Sequence, residues 1–317
     1  MARRFGGCLK PMFIFADLLE QCGKELERPR RPGRPGAECL TNLYLSAHAV
    51  GSAADDFLAG RRPTGRPAAP RRPISSAGEW FQRALGRRSL TEWQQRWEEC
   101  LAGLARIIAR RAPARESEFA ALRRAMHNLL GRRLPGSLRG WPVMLPDQFT
   151  SPQSLPCDAL SAVEALLVSG AALNLPLLII ELRAAGAWLA PLIKAGLEER
   201  GWPAVDWVAM DPGRKLSRRE WERLRQARCP EVRLLVMDNG RGPLPHLPLL
   251  LAWLRKFGAE PDRTTVLVPA AGAEGGRLTP LPEHDRYRVV CFDPSAGRLA
   301  EPAAATLPDF PPDLLVA

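Results

Sequence analysis

The stretch "LPLLIIELRAAGAWLAPLIKAGLEERGWPAVDWVAM" (175–210) decides the fold. It opens on a short, continuous apolar run, 175–182, rich in Leu and Ile, which reads as a strand buried on both faces. "RAAGAWLAPLIKAGLEERG" (183–201) then carries a helical pattern, and "AVDWVAM" (204–210) returns as a second strand. A strand, a helix and a strand in so short a span form a parallel βαβ unit.

The alternation continues toward the C-terminus. "SRREWERLRQAR" (217–228) is a helix with Ser217 as its cap, and "VRLLVMD" (232–238) is a third buried strand. "LPLLLAWLRKFGA" (247–259) is a further helix, followed by strands at "TTVLVP" (264–269) and "RYRVVCF" (286–292). The pattern predicts an α/β domain over 161–317, a parallel sheet of about five strands flanked by helices.

Toward the N-terminus the pattern changes. Residues 141–160 lie in a proline-spaced connector, and residues 1–140 read as an all-helical, Arg-rich region. Its loops are "RPRRPGRPG" (28–36) and "GRRPTGRPAAPRRP" (60–73), too rich in Pro, Gly and Arg to pack a core. Between them Leu40, Leu43, Leu45, Val50 and Phe57 recur at helical spacing, with Gly60 as the stop. Ser89 with Glu92 three residues on reads as a capping box, opening a helix whose stripe is Trp93, Trp97, Leu101, Leu104 and Ile108. A further helix carries Phe119, Leu122, Met126 and Leu129. The tryptophans fall on the apolar stripe and read as core anchors.

The chain of 317 residues has a formal charge of +11, and the excess is one-sided. Residues 1–150 hold 26 Lys+Arg against 14 Asp+Glu, or +12, while residues 151–317 hold 19 against 20, or −1. Two readings stand for this: phosphate-binding forks that contact nucleic acid or an acidic protein through residues 1–150, or a compositional bias toward Arg. Seven scattered cysteines without a C-x-x-C pair and four unpaired histidines argue against a disulfide framework or a metal centre. They read as reduced, mostly buried thiols. No apolar run is long enough to span a bilayer and no signal cleavage site appears, so a cytoplasmic protein with no membrane contact is expected. The oligomeric state is left open.

In a parallel sheet, ligands bind beyond the carboxyl ends of the strands. Those ends read "ELRAAGAWLAPL" (181–192), "MDPGRK" (210–215), "MDNGRGPLPH" (237–246) and "VPAAGAEGG" (268–276). Gly240 and Gly242 begin a G-x-G-x-x pattern, but Pro245 takes its last position and the next strand ends in Pro269 without an acid. The dinucleotide fingerprint therefore fails, and neither a P-loop nor a G-x-S-x-G elbow occurs.

Taken in order, these loops resemble those of type I phosphoribosyltransferases, in a divergent bacterial branch with a helical N-terminal segment. "ELRAAGAWLAPL" is similar to the family's pyrophosphate loop G-x-R-x-x-G-x-x-L-A-P-L through Arg183, Gly186, Leu189, Ala190, Pro191 and Leu192. "DPGRK" resembles its basic second-strand turn through Arg214 and Lys215. "LLVMDNGRGPL" has the apolar run, one acid and the turn of the phosphoribosyl pyrophosphate signature, and the paired acids Asp55 and Asp56 resemble a helix near the start of the branch.

The resemblance spans 160–295 and implies a phosphorylated ribose or nucleotide-like ligand, with magnesium accompanying a pyrophosphate group. Asp238 and Asn239 would meet the ribose hydroxyls, and Gly240, Arg241 and Gly242 the 5-phosphate. Arg183, Gly186, Arg214 and Lys215 would hold pyrophosphate. The implied activity is that of a pentosyl (phosphoribosyl) transferase, a glycosyltransferase of nucleotide metabolism. Asn239 replaces the second acid, and Pro243 and Pro245 remove backbone donors from a turn without Ser or Thr. The departures imply a degenerate active site with catalysis altered or lost. On the residues alone, Arg214 and Lys215 also suit a solvated turn and Asp238 an Asx turn. The alternative function is a non-enzymatic subunit that contacts nucleic acid or an acidic partner through the basic helical half.

Overall fold

The computed structural model describes residues 12–28, 35–61, 77–110, 116–144, 156–170, 175–182, 188–210, 216–237, 246–270 and 286–293. They form two compact units, one of residues up to 101 with 116–144, the other of 102–110 with 156–293.

The first unit contains β1 (Met12–Ile14), α1 (Phe15–Glu27), α2 (Pro35–Leu58), most of α3 (Ala77–Ala109), α4 (Glu116–Leu130), α5 (Gly136–Arg139) and β2 (Pro142–Met144). The Trp93 and Trp97 rings stack with centroids 5.0 Å apart, and both side chains are buried. Each indole N–H is satisfied inside the core: Trp93 donates to the Leu129 carbonyl at 3.0 Å and Trp97 to the Ala47 carbonyl at 2.8 Å. These are the core anchors that the stripe predicts.

Two features differ from the expectation. The region is not wholly helical, because β1 pairs antiparallel with β2, placing the buried Phe13 opposite the buried Val143. Three residues are too few to show a period of two. Ser89 does not cap a helix; it lies inside α3, which already runs from Ala77. The neighbouring side chains bond along the helix instead: Thr91 donates to the Arg87 carbonyl, and Glu92 accepts from Arg88 one turn back. With no proline between Pro73 and Pro113, nothing interrupts the helix at Ser89.

The second unit holds α6 (Pro156–Val168), β3 (Leu177–Leu182), α7 (Leu189–Glu198), β4 (Val205–Met210), α8 (Arg218–Leu224), β5 (Arg233–Met237), α9 (His246–Lys256), β6 (Thr264–Pro269) and β7 (Arg288–Phe292). The sheet is wholly parallel, in the order β4-β3-β5-β6-β7. Every residue of the interior strand β3 is buried, as suits a largely apolar run covered on both faces. Ser217 caps α8 in a full capping box: its hydroxyl accepts from the Glu220 N–H, and Glu220 accepts from the Ser217 N–H. The span read as a connector carries β2 and the first turn of α6, which starts on a proline as helices readily do.

Strand alternation separates the two faces of the sheet. Leu178, Ile180, Leu182, Leu234 and Val236 join a core with Leu224 of α8 and Leu247, Leu250 and Leu254 of α9. The odd-numbered residues of β3 point the other way, toward α7. The result is three layers, helices on both faces of a parallel sheet.

Candidate functional site

The strand order fixes where a ligand site belongs. The chain moves from β3 to β4 in one direction and then crosses back to β5 on the other side of β3. The winding reverses between β3 and β5, and in parallel sheets such a point of reversal is where ligand crevices are found, because the following helices leave on opposite faces. β3 and β5 are direct neighbours, with Glu181 paired to Met237. Leu182 and Met237 thus end adjacent strands, which in a sheet lie about 4.8 Å apart. Residues that follow Met210 leave from the other side of β3, where Leu182 pairs with Met210.

Arg183, Gly186, Arg214, Lys215, Asp238, Asn239, Gly240, Arg241 and Gly242 themselves lie outside the described residues. Their strands are placed, and the three segments that carry them start from three consecutive strands, β4, β3 and β5.

The described edge holds one ionisable group that the sequence reading passed over. Glu181, the penultimate residue of β3, is 3% exposed. Its Oε2 accepts from the Ala190 N–H at 2.9 Å and its Oε1 from the Leu189 N–H at 3.4 Å. Burial pushes its pKa up to about 8, against the two N–H groups, which favour the charged form. The signal was visible as the single acid in "LPLLIIEL", at the position where the resembled loop begins with glycine.

Glu181 completes the start of α7. A helix leaves its first four N–H groups without partners. Here Leu189 and Ala190 donate to Glu181, Pro191 has no N–H, and the N-cap residue Trp188 makes no side-chain cap. α9 also has proline as its third residue, Pro248, and Pro245 precedes it, so its first turn has N–H groups at His246 and Leu247.

In the helical unit, Asp55 and Asp56 are engaged in local contacts. Gln94 donates to Asp55, and Arg61 pairs with Asp56 at 3.2 Å. A groove of about 510 Å³ runs between α1, α2 and α4, with Glu25, Cys39, Phe119 and Arg123 in its walls. Cys39 donates to Glu25 at 3.3 Å. Of the described thiols, Cys22 and Cys100 are buried, and burial raises both, Cys100 to about 11. Cys229 and Cys291 are exposed, contrary to the expectation of mostly buried thiols: Cys229 follows a helical turn, and Cys291 lies on β7, at the sheet edge.

Among the described residues no group of three or more His, Cys, Asp and Glu stands ready for a metal, and no helix is long and apolar enough to cross a membrane. Compared with protein-family models, with curated proteins and with solved structures, the chain matches none.

Proposed function

We propose that the second unit is a phosphoribosyltransferase-like domain that binds a phosphorylated ribose or nucleotide-like ligand at the carboxyl edge between β3 and β5, with catalysis altered or lost. The strand order carries the reading. The resemblance needs its first-strand and third-strand loops to act on one ligand, and "β4-β3-β5" makes those two strands neighbours at the point of reversal. Nothing in the sequence pattern required that order. Asp238 then meets the ribose hydroxyls, and Arg241 offers a charge-assisted bond to the phosphate where Pro243 and Pro245 remove backbone donors.

Magnesium belongs to this reading only as the companion of pyrophosphate. The described edge does not fit it: Glu181 turns both oxygens to backbone N–H groups and has no second acid beside it in a metal-binding cluster of described residues.

Thermal unfolding of the full chain with millimolar ribose 5-phosphate, or with phosphoribosyl pyrophosphate and magnesium, tests the reading. A ligand at ten times its Kd adds about 1.4 kcal/mol, a rise of a few degrees, roughly 2–4 °C. The rise should vanish in Asp238→Ala. No rise with either ligand sinks the proposal.

A second reading has its own observation. Arg123, Arg124, Arg132, Arg133 and Arg139, on α4, α5 and the turn between them, are all exposed, and none sits in an ion pair among the described residues. Such a row suits phosphates or an acidic protein surface. Binding of single- or double-stranded nucleic acid that weakens steeply with salt, and that loses slope on Arg→Gln changes in this row, supports it. Full retention of salt slope in those variants removes it.

A further inference from the structure

We infer that β7 is a pairing edge for a second copy of this chain: two β7 strands join antiparallel about a two-fold axis at Val290, and the two parallel sheets become one. The contrast between the two edges of the sheet, β4 and β7, carries this.

An edge strand turns every second residue's backbone N–H and C=O outward, where another strand can meet them. At β4 the Ala204 carbonyl faces β3, accepting from the Leu177 N–H at 2.8 Å, so Val205 and Trp207 turn outward. Side chains of the same unit meet both. Lys194 donates to the Val205 carbonyl, Arg223 donates to the Trp207 carbonyl at 2.8 Å, and Asp206 accepts from the Trp207 N–H at 2.8 Å. A strand that paired here would have to displace these bonds.

β7 is left open. The Phe292 carbonyl faces β6, accepting from the Ala270 N–H at 2.6 Å, so Val289 and Cys291 turn outward. Among the described residues nothing bonds to their outward groups. Val289 and Cys291 are register partners of Val266 and Val268, which are buried in the core. That apolar face runs on to β7 and loses its cover there: Val289 is 37% exposed, and Cys291 is exposed too. Within β7 no proline and, on this face, no charge guards the edge.

The edge is complementary to itself. A two-fold axis at Val290 sets Val289 opposite the partner's Cys291, and each such pair exchanges two hydrogen bonds, so every outward group of both strands is used. Arg288 falls opposite the partner's Phe292, so no charge faces a like charge. The outer edges of the joined sheet are then the two sealed β4 strands, and assembly stops at two.

Sedimentation of the full chain across concentration is the test. Two short strands make a small interface, so the wild type should run as a dimer at about 100 µM and as a single chain at about 1 µM. Val289→Pro removes an outward N–H and spares the ladder to β6, and should weaken the dimer at least about tenfold. Cys291→Lys puts a charge on the open face and should weaken it to a similar degree. Val290→Cys in a Cys291→Ser background should give, on mild oxidation, a disulfide between the two copies of position 290, which form a close, non-hydrogen-bonded pair. The Val289 and Cys291 amides should resist hydrogen exchange only at the concentration that gives dimer. A single chain throughout overturns the inference, as does a dimer that Val289→Pro leaves intact; should Val289→Pro not fold, an unchanged Cys291→Lys does so. Failure of the disulfide at position 290 overturns it as well. Protection of the two amides at every concentration would place another segment of the same chain on the edge, and that too overturns it.

Discussion

β3 with α7 and β5 with α9 are two copies of one arrangement, a buried parallel strand leading to a helix with proline as its third residue. Both strands end near an acid, and the acids sit on opposite sides of the end. Glu181 comes one residue before the last of β3, whereas Asp238 follows the last residue of β5. A shift of this size changes what a carboxyl group is for. Inside the strand it is held by the alternation of side chains and faces a packed helix; after the strand it is released from the ladder. Glu181 is therefore committed to the fold, and Asp238 is the acid that the proposed function assigns to the ribose hydroxyls.

The comparison breaks most visibly if the two strands are not equivalent as cores. Leu178 and Leu234 are register partners, both fully buried on the same face of the sheet. Leu178→Ala and Leu234→Ala should each lose about 3 kcal/mol in denaturant unfolding, the usual loss for a deleted core leucine. A gap above about 2 kcal/mol between them would show that the strands carry unequal shares.

Next in size is the acid itself. Glu181→Leu leaves the Leu189 and Ala190 N–H groups buried without an acceptor and should lose about 2 kcal/mol at pH 5. Its register partner offers the control: Met237→Leu should lose less than about 1.5 kcal/mol. Equal losses would mean that Glu181 acts by its volume alone.

The pH profile sharpens the same point. Because burial raises the Glu181 pKa from 4.5 to about 8, the folded chain holds its proton over a range where the unfolded chain has released it. The folded state binds more protons, so the contribution of Glu181 to stability is full below pH 4.5 and declines as pH rises toward 8. Glu181→Gln should flatten that decline in unfolding curves taken between these limits; an unchanged slope would assign it to other groups. The smallest effect belongs to the other acid. Asp238→Ala should alter stability by less than about 0.5 kcal/mol while removing the response to ribose 5-phosphate. A large loss of stability would place Asp238 with Glu181 as a residue of the fold.

The strands were legible because a strand covered on both faces is built mostly of apolar residues, as the runs 177–180, 234–237 and 266–268 show. Their order was not legible, since an apolar run states that it is covered and says nothing about which strand lies beside it. Ser217 could be read because its partner Glu220 is three residues away; the same spacing misled at Ser89, where Arg88 and Thr91 bond along a helix already under way. Glu181 was visible as a letter, but its role depends on the return of the chain to Leu189 and Ala190, which strand periodicity does not encode.

The short ribbon of β1 and β2 bears on how the helical unit assembles. Its two pairing segments are Met12–Ile14 and Pro142–Met144, so it ties together stretches at opposite ends of the unit's described sequence. Joining ends so distant from an open chain carries a loop-closure entropy that grows with the logarithm of the span. Two three-residue strands offer few hydrogen bonds against that entropy, while α1 and α2 pack as near neighbours in sequence. The ribbon is accordingly a clasp that fastens late, after the helices have shortened the distance it must close, and its amides should be among the last of the unit to gain protection in pulse-labelled hydrogen exchange.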